Sequence, residues 1–296
     1  MVNGILNVFK PSGPTSFAVV ARVRKLTGIS KVGHGGTLDP MACGVLPVFL
    51  GQATRLSEYL MESHKTYRAS VMLGTATDSY DAEGAVTEHG DTSNITGASV
   101  KSALDAFRGE IRQTPPEYSA IKHKGQPLYK LARAGCHVDI PSRLVTIYRL
   151  EMLKFAPPLV ELEIECSKGT YIRSLAHDLG QILGCGAHLS GLVRTSYGPF
   201  DIKQSVSLEQ LEIAVADASW NCLVQPMDIV LSKRVPVMLS DAQVEVVRCG
   251  GALDLQVADG VTYLRAYDGE NRFIAVLAYD ADAMVWHPKK VFNKYV

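Results

Sequence analysis

The strongest constraint on the fold is a change of hydrophobic period between residues 160 and 183. Val160, Leu162, Ile164 and Cys166 alternate with polar residues, the mark of a strand with one buried face. After Lys168-Gly169-Thr170 the spacing becomes helical, with Ile172, Leu175, Ala176, Leu179, Ile182 and Leu183 in one stripe. A strand that feeds a helix through so short a turn must bury both apolar faces against other elements. Further segments supply them. Residues 15–27 read as a helix, with Phe17, Val20, Val23 and Leu26 at helical spacing, Thr15 or Ser16 as cap and Gly28 as stop. Residues 67–73 alternate Tyr67, Ala69, Val71 and Leu73, and residues 97–108 carry Val100, Leu104 and Phe107 on one helical face.

Strands and helices mix without a βαβ rhythm or an internal repeat. That predicts an α+β fold: a mixed, largely antiparallel sheet with flanking helices. Beyond residue 235 short strand-like runs (Val244 to Val247, Thr262 to Ala266, Phe273 to Ala278) alternate with Gly250-Gly251, Asp259-Gly260 and Asp268-Gly269. This predicts a domain over residues 1–235 and a small all-β unit over 236–296.

The composition excludes several classes. With 47% hydrophobic and 20% charged residues the chain is an ordinary globular one, neither disordered nor fibrous. No apolar run approaches the ~18 residues of a membrane span, and the first residues carry no secretory pattern, so a cytoplasmic protein without membrane attachment is expected. Six scattered cysteines without a C-x-x-C pair argue for free thiols and against a zinc site. The net charge is zero, so any nucleic-acid contact must come from local clusters such as Arg22, Arg24, Lys25 and Lys31, or Lys122, His123, Lys124, Lys130 and Arg133.

The chemistry-bearing segment is Gly33-His34-Gly35-Gly36-Thr37-Leu38-Asp39-Pro40-Met41-Ala42-Cys43-Gly44-Val45-Leu46-Pro47. Gly residues permit a tight turn, and Pro40 pushes Asp39 toward extended geometry, so one acid is presented on a narrow loop. Taken alone, it is an Asp-Pro turn. Asp78 and Asp81 could suggest a metal pair, but a divalent cation wants more oxygen ligands in a compact loop; a structural or RNA-binding loop is expected.

Five segments in order give a more specific reading. The loop resembles the G-H-T-G-T-L-D-P-x-A-x-G-V-L-P motif of the TruB family of tRNA pseudouridine synthases, departing at Gly35 and Cys43, where threonine is typical. Gly4-Ile5-Leu6-Asn7-Val8-Phe9-Lys10-Pro11-Ser12-Gly13-Pro14-Thr15-Ser16 resembles the family's N-terminal motif, and Lys65-Thr66-Tyr67 its K-x-Y strand. Gln113 to Lys122, with Gly125, Tyr129, Ala132, Arg133 and Gly135, resembles its RNA-contacting insert around residues 112–140. Gly169-Thr170-Tyr171-Ile172-Arg173-Ser174-Leu175 resembles its G-T-Y-I-R-S-L motif, with Ala187 to Thr195 close behind. In position and length, residues 236–296 resemble a PUA-like RNA-binding domain, whose tail carries Trp286, His287, Lys289, Lys290 and Lys294.

The resemblance implies Asp39 as nucleophile, Tyr67 as stacking and proton-transfer tyrosine, and Arg173 as the partner of Asp39. It implies substrate contacts from His34, Tyr171, Leu192, Lys10, Lys65, Lys122, Lys130 and Arg133. It also implies conversion of the T-loop uridine numbered 55 in tRNA, with the T arm as the recognised part, no obligate protein partner and a monomer. Turning uridine into pseudouridine exchanges an N1–C1′ bond for a C5–C1′ bond, with nothing oxidised and no group donated, so no cofactor and no metal are expected. A cation beside Asp39 lowers a carboxylate pKa, and the planar fork of Arg173 suits bidentate pairing. Alternatives are a guide-RNA-dependent relative, whose long basic extensions are missing here, and a tRNA-binding or folding protein that would not need Asp39. A retaining glycosidase would need a second carboxylate about 5–5.5 Å away, and none accompanies Asp39 in these motifs.

Overall fold

A computed structural model of the chain describes residues 2–119, 121–136 and 138–292. Its centre is a mixed sheet of ten strands. The main order is Val224–Gln225, Gly4–Lys10, Cys43–Leu50, Ala187–Tyr197, Lys65–Leu73, Leu159–Cys166, Arg143–Ala156 and Gly109–Gln113. Neighbours along this path are antiparallel, except that Ala187–Tyr197 runs parallel to Cys43–Leu50, with Val193 opposite Cys43 and Arg194 opposite Gly44. The α+β expectation holds. Among the described residues no helix is long and apolar enough to cross a membrane.

The period change read from the sequence becomes the strand Leu159–Cys166 and the helix Ile172–Leu183, ended by Gly184 at φ 70°. Leu162, Ile164, Leu175, Ala176 and Leu179 meet in one core with Val71, Leu150 and Leu189. Burying each leucine, isoleucine or valine of this set contributes about 1.5–3 kcal/mol. Tyr67, Leu38, Ala42 and Leu192 sit in the same core, so the residues singled out by motif rest on its best-packed part. The first helix is Ser16–Thr27, capped by Thr15 Oγ1, which accepts from the Ala18 amide at 3.1 Å, and stopped by Gly28 at φ 68°. The helix expected over residues 97–108 spans Gly97–Asp105, and Phe107 still reaches the core from the turn beyond it.

The C-terminal part forms a four-stranded sheet, Val235–Met238, Tyr263–Tyr267, Phe273–Asp280 and Val285–Val291. One expectation fails here. Val244 to Val247 lie in a helix, Asp241–Arg248, not a strand. Ser240 and Gln243 form a reciprocal cap at its start, and Val244 and Val247 share its buried face. Capping and burial at helical spacing override the strand preference of β-branched residues. The sheet is packed firmly on the rest of the chain: Val276 and Phe292 join Ile5, Phe49 and Tyr197 in one core, and Arg55 Nη1 donates to Val291 O at 2.6 Å.

Candidate active site

The loop that carries Asp39 is held along its whole length. Each carbonyl from Gly35 to Ala42 accepts a hydrogen bond. Tyr197 donates its hydroxyl to Gly35 O at 2.7 Å, and Arg194 donates to Gly36 O at 3.1 Å and Thr37 O at 3.4 Å. Ser16 Oγ donates to Leu38 O at 3.0 Å and accepts from the Leu38 amide at 2.8 Å. The Ala42 amide reaches Asp39 O, the Gly13 amide Pro40 O, and Ser12 Oγ Met41 O. Lys10, fully buried, donates to Pro11 O at 2.9 Å, Pro40 O at 3.1 Å and Ala42 O at 2.6 Å. Lys10 thus holds the loop from beneath.

The departure at Gly35 has a steric reason: a Cβ there would lie 2.6 Å from Leu60 Cδ2 and 3.0 Å from Phe49. Gly44 answers to both of its freedoms. Its φ is 104°, and a Cβ would come within 2.3 Å of Arg194 O, where the parallel strand crosses.

The loop forms the floor of a cleft of about 1320 Å³ that also takes in His34, Lys65, Tyr67, Tyr171, Arg173, Leu192 and Arg194. Arg173 stands in the first turn of the helix Ile172–Leu183, the positive end of its dipole, where a cation needs compensation. Two carboxylates provide it. Arg173 Nε lies 3.0 Å from Asp39 Oδ2, and its Nη1 lies 3.2 Å from Asp81 Oδ2. Its remaining capacity goes to the carbonyls of Ser79 and Tyr118.

The pair expected from the sequence is therefore present but not bidentate, because Asp81 takes the other arm of the fork. The Nε contact is close without being well directed as a hydrogen bond. Asp81 is itself fixed by Ser79 Oγ at 2.6 Å and the Glu83 amide at 3.1 Å.

The expected lowering of the Asp39 pKa is also reversed. Its side chain keeps 36% exposure and shares the cleft lining with Leu38, Tyr67 and Leu192. Burial raises its pKa above the ordinary value, the Arg173 and Lys10 charges oppose that rise, and Asp81 adds to it.

Tyr67 is buried, and burial pushes its phenol up to about 12, with the Arg194 charge pulling the other way. Lys65 lies 4.4 Å from the centre of the Tyr197 ring; burial and then the Arg194 charge bring its ammonium down to about 8. His34 is driven toward the neutral form by burial and by Arg194, and its Nδ1 is a buried atom with no partner. Tyr171 is fixed through its backbone: the Gln113 side chain accepts from its amide at 2.8 Å and donates to its carbonyl at 2.9 Å. Leu192 packs beside Ala69 and Tyr67.

The cations of the insert stand apart from these. Lys122, on a short hairpin strand, and Lys130, in the helix Leu128–Arg133, are exposed and do not line the cleft, although Tyr118, Ser119 and Tyr129 of the same region do. The side chain of Arg133, like Lys294, lies outside the described residues. Arg22, of the other basic cluster, pairs with Glu212 at the surface. Sequence reasoning missed two residues. Asp81 was legible only as an acid in a polar loop, and Arg194 only as a member of a motif.

Comparison with known proteins gives the family. Residues 24–172 match the family model described as TruB family pseudouridylate synthase, N-terminal domain, and residues 173–232 match the tRNA pseudouridylate synthase B C-terminal domain. A tRNA pseudouridine synthase B of Dehalococcoides mccartyi (strain ATCC BAA-2266 / KCTC 15142 / 195) is 48% identical over 98% of this chain and 97% of its own length. One from Francisella philomiragia subsp. philomiragia is 39% identical over 99% and 96%. Among solved structures, an H/ACA RNP bound to a substrate RNA containing 2′-deoxyuridine includes a chain with a TM-score of 0.75 at 26% identity, covering 98% of this chain and 85% of that one. An archaeal box H/ACA Nop10-Cbf5 complex gives 0.74 at 25% identity, with 98% and 86% coverage. With a family model over residues 24–172 and relatives matched along nearly the whole length, the chain belongs to the TruB family of pseudouridine synthases.

Proposed function

We propose that the chain converts a uridine of tRNA to pseudouridine, acting on the T-loop uridine conventionally numbered 55, in the cytoplasm, as a monomer, and without cofactor or guide RNA. The observation that carries the reading is the Asp39 carboxylate, held 3.0 Å from a buried arginine on the floor of a cleft that also contains Tyr67. The full-length likeness to bacterial tRNA enzymes, against 25–28% identity to the chains of the H/ACA complexes, supports action on tRNA without a guide.

The target base must leave the RNA stack to bring its sugar to the cleft floor. Asp39, ionised and oriented by Arg173, attacks C1′ and displaces the base as uracilate. The base turns while Tyr67 provides a face for it; stacking of this kind contributes about 1–3 kcal/mol. C5 then displaces the carboxylate from C1′. Loss of the C5 proton and gain of one at N1 complete the isomerisation. Substrate and product contain the same atoms, which is why the chemistry calls for neither an oxidant nor a donor. Lys10 and Arg194 keep the loop in place throughout. His34, Tyr171, Leu192 and Lys65 line the path of the base, while Lys122, Lys130 and Arg133 serve the RNA backbone farther out.

The test uses a tRNA transcript tritiated at C5 of uridine. Release of tritium, with the modified residue mapped to position 55, is the expected result. A folded protein that binds the transcript and releases none would overturn the reading.

A further inference from the structure

Arg194 is fully buried, and its position poses an energetic problem. Its hydrogen bonds to the backbone go to three neutral carbonyls: Nε to Val45 O at 2.7 Å, Nη2 to Gly36 O at 3.1 Å and Nη1 to Thr37 O at 3.4 Å. Among the described residues no carboxylate pairs with it. Removing an unpaired charge from water costs several kcal/mol, as an order of magnitude, after relaxation. Tethering three carbonyls does not by itself call for a charge, because neutral donors make the same bonds. The charge has a second setting.

On the antiparallel strands Ala187–Tyr197 and Lys65–Leu73, Arg194 stands directly opposite Tyr67. Side chains at such positions share one face of the sheet and meet. Both line the cleft. Tyr197, at 4.9 Å from ring centre to guanidinium, flanks Arg194 on the same strand. Burial alone would make the Tyr67 oxygen a poor site for negative charge, and Arg194 is the largest influence in the opposite direction.

We propose that Arg194 is a positioning residue for proton transfer at C5: held without a counter-ion opposite Tyr67, its charge stabilises the tyrosine oxygen in the deprotonated form that accepts the C5 proton. This rests on the role given to Tyr67 above. In the step itself the Tyr67 oxygen, its own hydroxyl hydrogen already given up, takes the proton as the C5–H bond breaks, and a new O–H bond forms. The original hydroxyl hydrogen passes through solvent to N1, so no net proton is gained or lost. Arg194 keeps its own protons and offsets the charge that builds on the oxygen between the two transfers.

The experiment is single-turnover conversion of a tRNA whose target uridine carries either hydrogen or deuterium at C5. Arg194→Lys is expected to slow turnover by about 10²-fold, the low end for a positioned acid–base group, and to bring out a primary isotope effect. Added to Tyr67→Phe, the same substitution is expected to cost clearly less than it does alone, leaving only the share due to the loop carbonyls. A slow Arg194→Lys enzyme without an isotope effect would mean that the residue serves only the Asp39 loop, and would overturn the proposal while leaving Tyr67 its role. If Tyr67→Phe neither slows turnover nor exposes an isotope effect, the role of Tyr67 falls and the proposal with it. Should Arg194→Lys not fold, 3-fluorotyrosine in place of Tyr67 probes the same oxygen in an otherwise native chain. Fluorination weakens its affinity for the proton, so a changed isotope effect is expected and an unchanged one overturns the proposal.

Discussion

Asp81 and Asp39 share one arginine: Asp81 Oδ2 lies 3.2 Å from Arg173 Nη1, while Asp39 Oδ2 lies 3.0 Å from its Nε. The buried acid fixes the guanidinium, and the half-exposed one receives what remains. Asp81→Asn should therefore have two separable effects. The Asp81 charge contributes to the raised pKa of Asp39, so its loss moves the acid limb of the activity profile to lower pH. Arg173 also loses an anchor, and displacement of a positioning group costs about 10²-fold in rate. Single-turnover rates from pH 4 to 8 check both directions; an acid limb that moves upward would contradict the charge arrangement.

Asp39→Asn removes the charge and keeps the shape. Turnover should fall by at least about 10⁴-fold, the upper range for a positioned reacting group, while tRNA affinity stays near normal. Filter binding alongside single-turnover assays separates the two. Appreciable residual turnover would exclude Asp39 as nucleophile.

Asp178 offers a test of stability against pH. It is partly buried on the helix Ile172–Leu183, and burial alone raises its carboxyl from 3.8 to about 6. A group whose folded pKa exceeds its unfolded value destabilises the fold fully above the folded pKa, and the penalty fades as pH falls toward the unfolded one. Asp178→Asn should thus raise stability at pH 7 by on the order of 1–3 kcal/mol, and by almost nothing near pH 4. Urea unfolding at the two pH values reads this directly. Equal gains at both would mean that the carboxylate is not strained by burial.

Lys122 and Lys130 are exposed and lie outside the cleft, which suits phosphate contacts better than contact with the target base. Replacing both with alanine should weaken all tRNAs alike and reduce the slope of log K against log salt by about 0.7–0.9 per lost contact. The saturating rate should not change. A loss confined to some tRNA sequences would point to base contacts instead.

How far the sequence could be read depended on whether a property was local. The strand and helix around Lys168-Gly169-Thr170 followed from periodicity, and the ends of Ser16–Thr27 from Thr15 and Gly28, because caps and stripes are set within a few residues. Asp39, Tyr67 and Arg173 were found through motif resemblance, and they converge in one cleft. What escaped was competition between distant groups. Nothing near Arg173 in the chain reveals that Asp81 will claim half of its fork, and nothing near Asp39 shows that burial will outweigh the arginine. Nothing near Arg22 shows that Glu212, far along the chain, will pair with it. Val244 and Val247 misled by residue type where the Ser240 and Gln243 cap decided the outcome.

With every carbonyl from Gly35 to Ala42 already bonded, the aspartate loop has little room to adapt to what it binds. The carboxylate is a fixed point, and the nucleic acid must do the moving. Discrimination among uridines then depends less on how tightly each is gripped than on how readily its surroundings surrender the base. A loop whose stacking is already weak yields its uridine cheaply, and the same residue in a continuous helix does not. Part of the enzyme's selectivity is thereby written in the mechanical softness of the RNA.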